Sequence, residues 1–391
     1  RRDWRAQPIA PTPAWGFGLT TSVRGLQQTV AGMPAAALPD LITTDAPDKV
    51  HALFMHGGAY YSWPDTEKTV KALGEIDLLI MHDVELSATA ELADYVIATT
   101  DQLETAAISV LNETVGDIHP GYDWTEPYAF YRPALLDPPE GSDLMESWVI
   151  YYRVAQKLGI DLSYIHYGGD GSSEAMPFDM ANEPTTDGVF EMMCTGSTIP
   201  LDEVKNHPHG ALFPEANDVV KARDPECTAR LQLADPAMLA ELAEVRDEDY
   251  LARRAVNDKF PFQLICRRMM GNTNGAPRAE GVIPTGYNPL WMHPDDAASL
   301  GVGNGDEVDV RTRHGSIPGF VEIDDTMRPG IVGLTQGFGR KPNSNYDPRR
   351  DGSNINLILR WEDDPDPYHG MPRMSAIPVA ITPRTLAEAA E

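Results

Sequence analysis

The strongest constraint on this chain is an alternation of short apolar runs and helical stretches between residues 50 and 98. Residues 50–55 form a compact apolar run that stops at Gly57-Gly58, which predicts a strand ending in a tight loop. Residues 65–73 follow with helical periodicity, and Asp65 stands where an N-cap is wanted. Residues 78–81 predict a second buried strand, closed by His82-Asp83. Residues 88–93 predict a helical turn and residues 95–98 a third short strand. Strand, helix, strand, helix, strand implies a parallel sheet with right-handed crossovers.

The rest of the chain divides by character. Residues 1–48 are a Pro- and Ala-rich remnant or linker, with one short helix expected around 23–30. Residues 49–260 carry the parallel-sheet pattern. Within them, 112–142 read as a long ordered loop, and Ser142 is expected to cap a helix over 143–158 that stops at Gly159. Residues 160–234 read as irregular and polar. A helix is expected over 236–254, with Asp235 as N-cap and Pro236 at its first position. Past residue 260 strands dominate. They are expected at 262–266, 308–313, 316–323, 330–334 and 377–381, with a hairpin signature at His314-Gly315 and a short helix over 294–300. Residues 261–391 therefore read as a small, mostly β, barrel-like domain. The fold class is α/β: a parallel-sheet domain followed by a β-barrel-like domain.

Composition narrows the function. With 59 acidic and 31 basic residues, the net charge of -28 repels phosphate backbones and anionic membranes. No nucleic-acid partner is expected, and no stretch approaches the ~20 apolar residues of a membrane-spanning helix. Arg1 and Arg2 precede no apolar segment of the signal-peptide kind, and the chain does not open with Met, so its start is not expected to be the natural one. Cys194, Cys227 and Cys266 are far apart and form no CxxC pair. They suit free thiols in a reducing, cytoplasmic compartment, and supply neither an iron–sulfur cluster nor a zinc site.

Four segments could carry chemistry, each with a plainer competing reading. Gly57 and Gly58 would let a ligand approach the backbone at a strand end, with a helix N-terminus behind them; a ligand-free strand-to-helix turn is the alternative. Asp83, with Ser87 and Thr89 after it, could accept hydrogen bonds from guanine or ribose, or simply cap the next turn. Arg267 and Arg268, ahead of Gly271-Asn272-Thr273-Asn274-Gly275, suit a pyrophosphate, or a surface salt bridge. Asn354 and Asn356 could present amide donors and acceptors to the edge of a heterocyclic ligand, or stabilise an Asx turn. The pair His207 and His209 lacks the companions of a metal site, and His51, His56 and His82 read as packing histidines. No GxSxG, Walker A or HExxH motif occurs.

In order and spacing these segments resemble the dimethyl sulfoxide reductase superfamily from about Lys49 to the C-terminus. Residues 50–54 through Gly57-Gly58 and Ser62-Trp63-Pro64-Asp65 look like the family's strand and loop facing one guanine dinucleotide. Asp83 with Ser87-Ala88-Thr89-Ala90-Glu91-Leu92-Ala93-Asp94 is similar to its "D-x-x-x-T-x-T-A-x-x-A-D" stretch. Residues 145–159 resemble its helix ending in "A-x-x-L-G". The runs His293-Pro294-Asp295-Asp296-Ala297, Leu300-Gly301-Val302 and Gly305-Asp306-Glu307-Val308 resemble its C-terminal dinucleotide-binding domain. So do Arg328-Pro329-Gly330, Gly337-Phe338-Gly339, Asn354-Ile355-Asn356 and Gly370-Met371-Pro372-Arg373-Met374-Ser375.

The resemblance implies a Rossmann-like domain over 49–260 and a double-psi type barrel over 261–391, cradling a molybdenum (or tungsten) bis-molybdopterin guanine dinucleotide. Gly57, Gly58, Asp65, Asp83 and Ser87 would face one dinucleotide. Arg267, Arg268, Asn272, Asn274, Asn354, Asn356 and Arg373 would line the barrel domain's share. Two departures stand out: Ala59-Tyr60 replace the family's Asn-Pro after the glycines, and Ile97-Ala98 replace its Leu-Pro. The family's metal ligand and [4Fe–4S] cysteines precede the region matched here and have no counterpart in this chain. The expectation is therefore a fragment or truncated product that needs its N-terminal half, and electron-transfer subunits, to act on a small-molecule substrate. A split subunit that only holds the dinucleotide, or an unrelated nucleotide-dependent α/β enzyme, are the alternatives.

Overall fold

The computed structural model describes residues 5–7, 19–28, 32–109, 128–164, 175–195, 197, 199–214, 220–231, 233–234, 236–249, 258–269, 286–339 and 345–384. Contacts group the chain into two compact units. One comprises Arg1–Phe17 with Ala98–Leu242, the other Gly18–Ile97 with Ala243–Glu391.

The second unit opens with a turn. A helix was expected over 23–30, but Arg24 and Gly25 both take positive φ (62° and 63°) and reverse the chain, so that Thr20 bridges Gln27 antiparallel. The Arg24 guanidinium then donates to the carbonyls of Ala36, Trp361 and Gly370. After helix α1 (Leu38–Thr43) come strand β1 (Ala52–His56), the short helix α2 (Ala59–Ser62), helix α3 (Thr66–Glu75), strand β2 (Leu78–Asp83) and strand β3 (Tyr95–Ala98). The three strands form one sheet in the order β1-β2-β3. β1 and β2 are parallel, in register from Ala52 opposite Leu78 to His56 opposite His82, as the alternation of elements predicts.

Side chains alternate across a strand, so Met55, Leu79 and Met81 point to one face. There they pack with Ala72 and Leu73 of α3 and Ile42 of α1. The inward residues Thr69, Ala72 and Leu73 recur at the three- and four-residue spacing of one helix face. β1 starts two residues later than the apolar run suggests, because the Val50 N–H is given to the Leu41 carbonyl.

The same unit holds a closed six-stranded barrel: β4 (Phe262–Cys266), β5 (Leu290–Met292), β6 (Glu307–Arg311), β7 (Ser316–Ile323), β8 (Ile331–Leu334) and β9 (Ile377–Pro383). Their order round the barrel is β4-β8-β5-β7-β6-β9. β4 with β8 and β5 with β7 run parallel, and the other described pairs run antiparallel. Leu264, Leu290, Met292, Val308, Val310, Val332, Leu334 and Val379 fill the interior and are fully buried. Closure gives every strand two partners and leaves no edge exposed. Helix α4 (Pro294–Leu300) starts with Pro294, as expected. Its cap is the His293 ring, whose Nδ1 accepts from the Asp295 N–H, and Gly301 ends it at φ 69°.

The first unit is built of smaller pieces. Three two-stranded pairings join Ala107–Ile108 to Tyr131–Arg132, Tyr128–Ala129 to Ala211–Leu212, and Ser163–Tyr164 to Met176–Pro177. Its helices include Ser147–Leu158, Thr186–Met193 and Leu201–Lys205. The first begins five residues after the Ser142 cap read from the sequence. Ser142 lies in a turn to the Pro139 carbonyl, and Glu146 occupies the cap position, its carboxylate taking Trp148 Nε1 and Thr186 Oγ1. Gly159 closes that helix at φ 69°, as predicted. The other two helices lie in the stretch read as irregular. Pro236–Asp247, within which the two residue ranges meet, is helical and ends short of the expected residue 254; Asp235 lies outside the described residues.

Candidate functional site

The carboxyl ends of β1 and β2 carry the first predicted segment. Gly57 is exposed at φ 73°, and a side chain there would meet no atom within 4 Å. The space is open while the backbone conformation favours glycine. Beside it, Thr89 is fully buried and its Oγ1 accepts from the Tyr60 N–H at 3.0 Å. This bond ties the loop after β1 to the loop after β2. On the second loop, Asp83 Oδ1 accepts from the Val84 and Glu85 N–H groups, and Oδ2 accepts from Ser87 Oγ at 2.9 Å. Ser87 Oγ in turn accepts from the Ala90 N–H. These are the bonds of a capped turn, and both side chains stay half-buried, within reach of solvent. His56 and His82 meet edge to face, ring centroids 4.4 Å apart. Burial and the neighbouring His56 hold the buried His82 below its ordinary value, so it is neutral at pH 7.

Asp65 is buried, with φ 53°, and caps α3 by accepting from the Lys68 N–H. Arg360 Nη1 lies 3.6 Å from its carboxylate, and Arg360 Nη2 reaches Glu67 at 3.1 Å. Burial raises the Asp65 carboxyl above its usual value, against the pull of the Lys68 N–H and Arg360. Its oxygens are committed within the protein. Burial likewise pushes the Tyr60 hydroxyl up to about 12.

Asn354 and Asn356 are fully buried and reach across nearly the whole sequence. Asn354 Nδ2 donates to the Tyr60 carbonyl at 3.1 Å and to Thr66 Oγ1 at 3.2 Å. Its Oδ1 accepts from the Asn356 N–H, the Asx turn considered on the sequence. Asn356 Nδ2 donates to the Tyr61 carbonyl at 2.8 Å, while its buried Oδ1 has no hydrogen-bond partner among the described residues. The Asn-x-Asn segment is thus bonded directly to the loop that follows Gly57-Gly58.

The adjacent arginines diverge. Arg267 stacks over the Trp291 ring, 4.7 Å from its centroid, and pairs with Asp324 at 2.5 Å. Bonds from Thr326 and the Arg267 guanidinium hold Asp324 down to about 2. Arg268 is exposed, with no ion pair among the described residues. Arg373 is half-buried, and its Nε donates to the Ser375 carbonyl. Asn272 and Asn274 lie outside the described residues.

Sequence reasoning missed Arg360, Asp324 and Asn288, whose partners are far away in the chain, and it did not foresee that Thr89 would bond to Tyr60. Asn288-Pro289 reads only as a turn signal, yet Asn288 sits at the centre of four segments described below.

A dinucleotide needs an approachable backbone, positive charge and polar atoms left unspent. Gly57 supplies the first, Arg268 the second and Asn356 Oδ1 the third, so the residues fit such a group. Residues 268–378 match the family model described as Molydopterin dinucleotide binding domain. Similar proteins agree. Dimethyl sulfoxide/trimethylamine N-oxide reductase of Rhodobacter capsulatus is 25% identical over 327 residues, 77% of this chain and 37% of that protein.

By these matches the chain is similar to proteins of the dimethyl sulfoxide reductase superfamily.

Other relatives in this superfamily match similar stretches. The F420-dependent formate dehydrogenase subunit alpha of Methanocaldococcus jannaschii is 25% identical, covering 75% of this chain and 39% of that one. The thiosulfate reductase molybdopterin-containing subunit of Salmonella typhimurium is 25% identical, covering 70% and 36%. The chain therefore spans well under half the length of these relatives. Acetylene hydratase from Pelobacter acetylenicus shares the fold, with a TM-score of 0.63 and 17% identity over 90% of this chain and 46% of that one. No helix among the described residues is long and apolar enough to cross a membrane.

Proposed function

We propose that this chain is the C-terminal cofactor-binding portion of a molybdopterin-dependent oxidoreductase, and that it does not turn over substrate alone. The observation that carries this reading is the pair of buried amides, Asn354 and Asn356, bonded to the Tyr60 and Tyr61 carbonyls. They join the barrel-side loop to the strand-end glycines within one unit, in a chain whose residues 268–378 match a dinucleotide-binding family. In this reading residues 49–260 supply a Rossmann-like side and residues 261–391 a double-psi type barrel side.

The residues divide into two roles. Gly57 and Gly58 offer backbone to one dinucleotide, and Asp83 and Ser87 offer polar groups to its base or ribose. Arg268 and Arg373, with Asn272 and Asn274, meet the second dinucleotide through charge-assisted bonds. Asp65, Arg267, Asn354 and Asn356 have their polar groups largely spent inside the protein and hold those loops in place, with Asn356 Oδ1 left for the pterin edge. When bound, the molybdenum or tungsten centre supplies electron transfer coupled to oxidation or reduction of a small molecule. The metal ligand and any [4Fe–4S] cluster come from polypeptide beyond these residues. The buried Cys194 thiol is pushed up to about 11 by burial.

The test is elemental and nucleotide analysis of the native gene product, prepared anaerobically in a host that makes the cofactor. Molybdenum or tungsten with about two guanine nucleotides per metal atom is expected for a bis-dinucleotide centre. Metal-free, pterin-free protein would overturn the reading. Nucleotide without metal would favour the split module that holds a dinucleotide for a partner.

A further inference from the structure

Asn288 is 1% exposed and makes three hydrogen bonds with its one amide. Its Nδ2 donates to the Thr335 carbonyl at 2.7 Å and to the Ser353 carbonyl at 2.9 Å. Its Oδ1 accepts from the Ser353 N–H at 2.7 Å. Three stretches of chain meet at this amide: the residue after β8, the approach to β5 and the segment leading into Asn354. A fourth joins them, because Thr335 Oγ1 donates to the carbonyl of Arg267, directly after β4. The fit is tight. A side chain on Gly352 would stand 2.6 Å from Asn288 Oδ1, and Gly352 has φ 73°, so glycine is required there.

Asn288 fixes both the N–H and the carbonyl of Ser353. That sets the direction in which the chain enters Asn354 and Asn356, whose amides grip the loop after Gly57-Gly58. It also registers that loop against the strand end from which Arg267 and Arg268 depart. An amide is the side chain suited to this, since it donates twice and accepts at once. An apolar side chain of similar size would leave the Ser353 N–H and two carbonyls buried without partners.

We infer that Asn288 is a positioning residue for the dinucleotide site, acting through Ser353 and Thr335 without touching the ligand itself. The inference rests on the reading under Proposed function. It is tested on the native gene product from a host that makes the cofactor, by following guanine nucleotide retained per chain after gel filtration, together with the melting temperature of protein from a cofactor-deficient host. The variants are Asn288→Ala, the milder Asn288→Ser, and Val308→Ala as a destabilised control in the barrel core. Both Asn288 variants are expected to lose nucleotide about tenfold faster than wild type, as orienting partners of a bound group typically do. Val308→Ala is expected to retain nucleotide like wild type although its cofactor-free melting temperature also falls. Nucleotide retention in both Asn288 variants equal to wild type would overturn the inference and leave the function standing. So would losses that simply track melting temperature across all three variants. Wild type holding no nucleotide would overturn the function and the inference together.

Discussion

The barrel and the three-stranded sheet bury their strands by different means, although both belong to one unit. In the barrel each of six strands has a neighbour on both sides, and the apolar interior is enclosed by its own ladder. In the sheet β1 and β3 end the order, and one face is closed by α1 and α3. The barrel is therefore organised by its own hydrogen bonds. The sheet's outgoing loop is organised by side chains borrowed from residues 354–360. The lesson is that a closed element can serve as a rigid base, and that the parts meant to meet a ligand can be held from it by a few buried polar bonds.

The largest expected effect tests the base. Leu264→Ala in the barrel removes a fully buried side chain and is expected to cost about 2–5 kcal/mol in denaturant unfolding. Leu79→Ala, equally buried in the sheet, is expected near the lower end of that range, because an open sheet collapses into the gap more readily. A larger loss at Leu79 than at Leu264 would break the comparison.

The next effect tests the tie. Asn356→Ala leaves the Tyr61 carbonyl without its 2.8 Å donor and is expected to cost about 1–3 kcal/mol. Amide exchange should quicken in α2 and at the start of α3 while β6 and β7 keep their protection. Equal quickening in both would mean that the sheet supports the barrel as much as the reverse.

Acid titration separates the two regions by sign. Asp324 on the barrel has a folded value of about 2, below the unfolded value. Its stabilisation is complete above about pH 4 and is lost as pH falls through the folded value. Asp65 beside the sheet is raised. Its folded state binds the proton more tightly than the unfolded chain, so its ionised form costs stability at neutral pH, and that cost is relieved as pH falls through the raised value toward about 4. Asp324→Asn should flatten the stability curve below about pH 4, and Asp65→Asn should flatten it on the side above. The reverse pattern would contradict both environments. The smallest effect is a baseline: the exposed Lys71–Glu75 pair at 3.9 Å should lose no more than about 0.5 kcal/mol in Lys71→Ala.

Much of this was legible in the sequence because the signals are local. Tyr95–Ala98, Phe262–Cys266, Pro294–Leu300 and Ser316–Ile323 fall where their apolar pattern and turn residues place them. What escaped depends on distant partners or unusual dihedrals. Residues 23–30 look helical by composition, yet Arg24 has a positive φ and its guanidinium reaches the Ala36 carbonyl and two more, Trp361 and Gly370, far along the chain. Ser142 is a good cap by type, but Glu146 takes that place because Trp148 and Thr186 converge on it. At the candidate site, the glycines and the Asn-x-Asn segment could be read from residue type. That Arg267 turns to Asp324, and that Asn354 and Asn356 bond to Tyr60 and Tyr61, is set by the tertiary fold and leaves no trace in spacing.

In the proposed reading the strand-end loop meets a dinucleotide, and the Asn-x-Asn loop, bonded to it at Tyr60 and Tyr61, holds it in place. Hydrogen exchange of the native gene product, compared between a host that makes the cofactor and one that does not, tests it most directly. Protection should rise together at residues 57–62 and 353–358 in the cofactor-containing protein. Protection rising at one segment alone, or at neither, would contradict it.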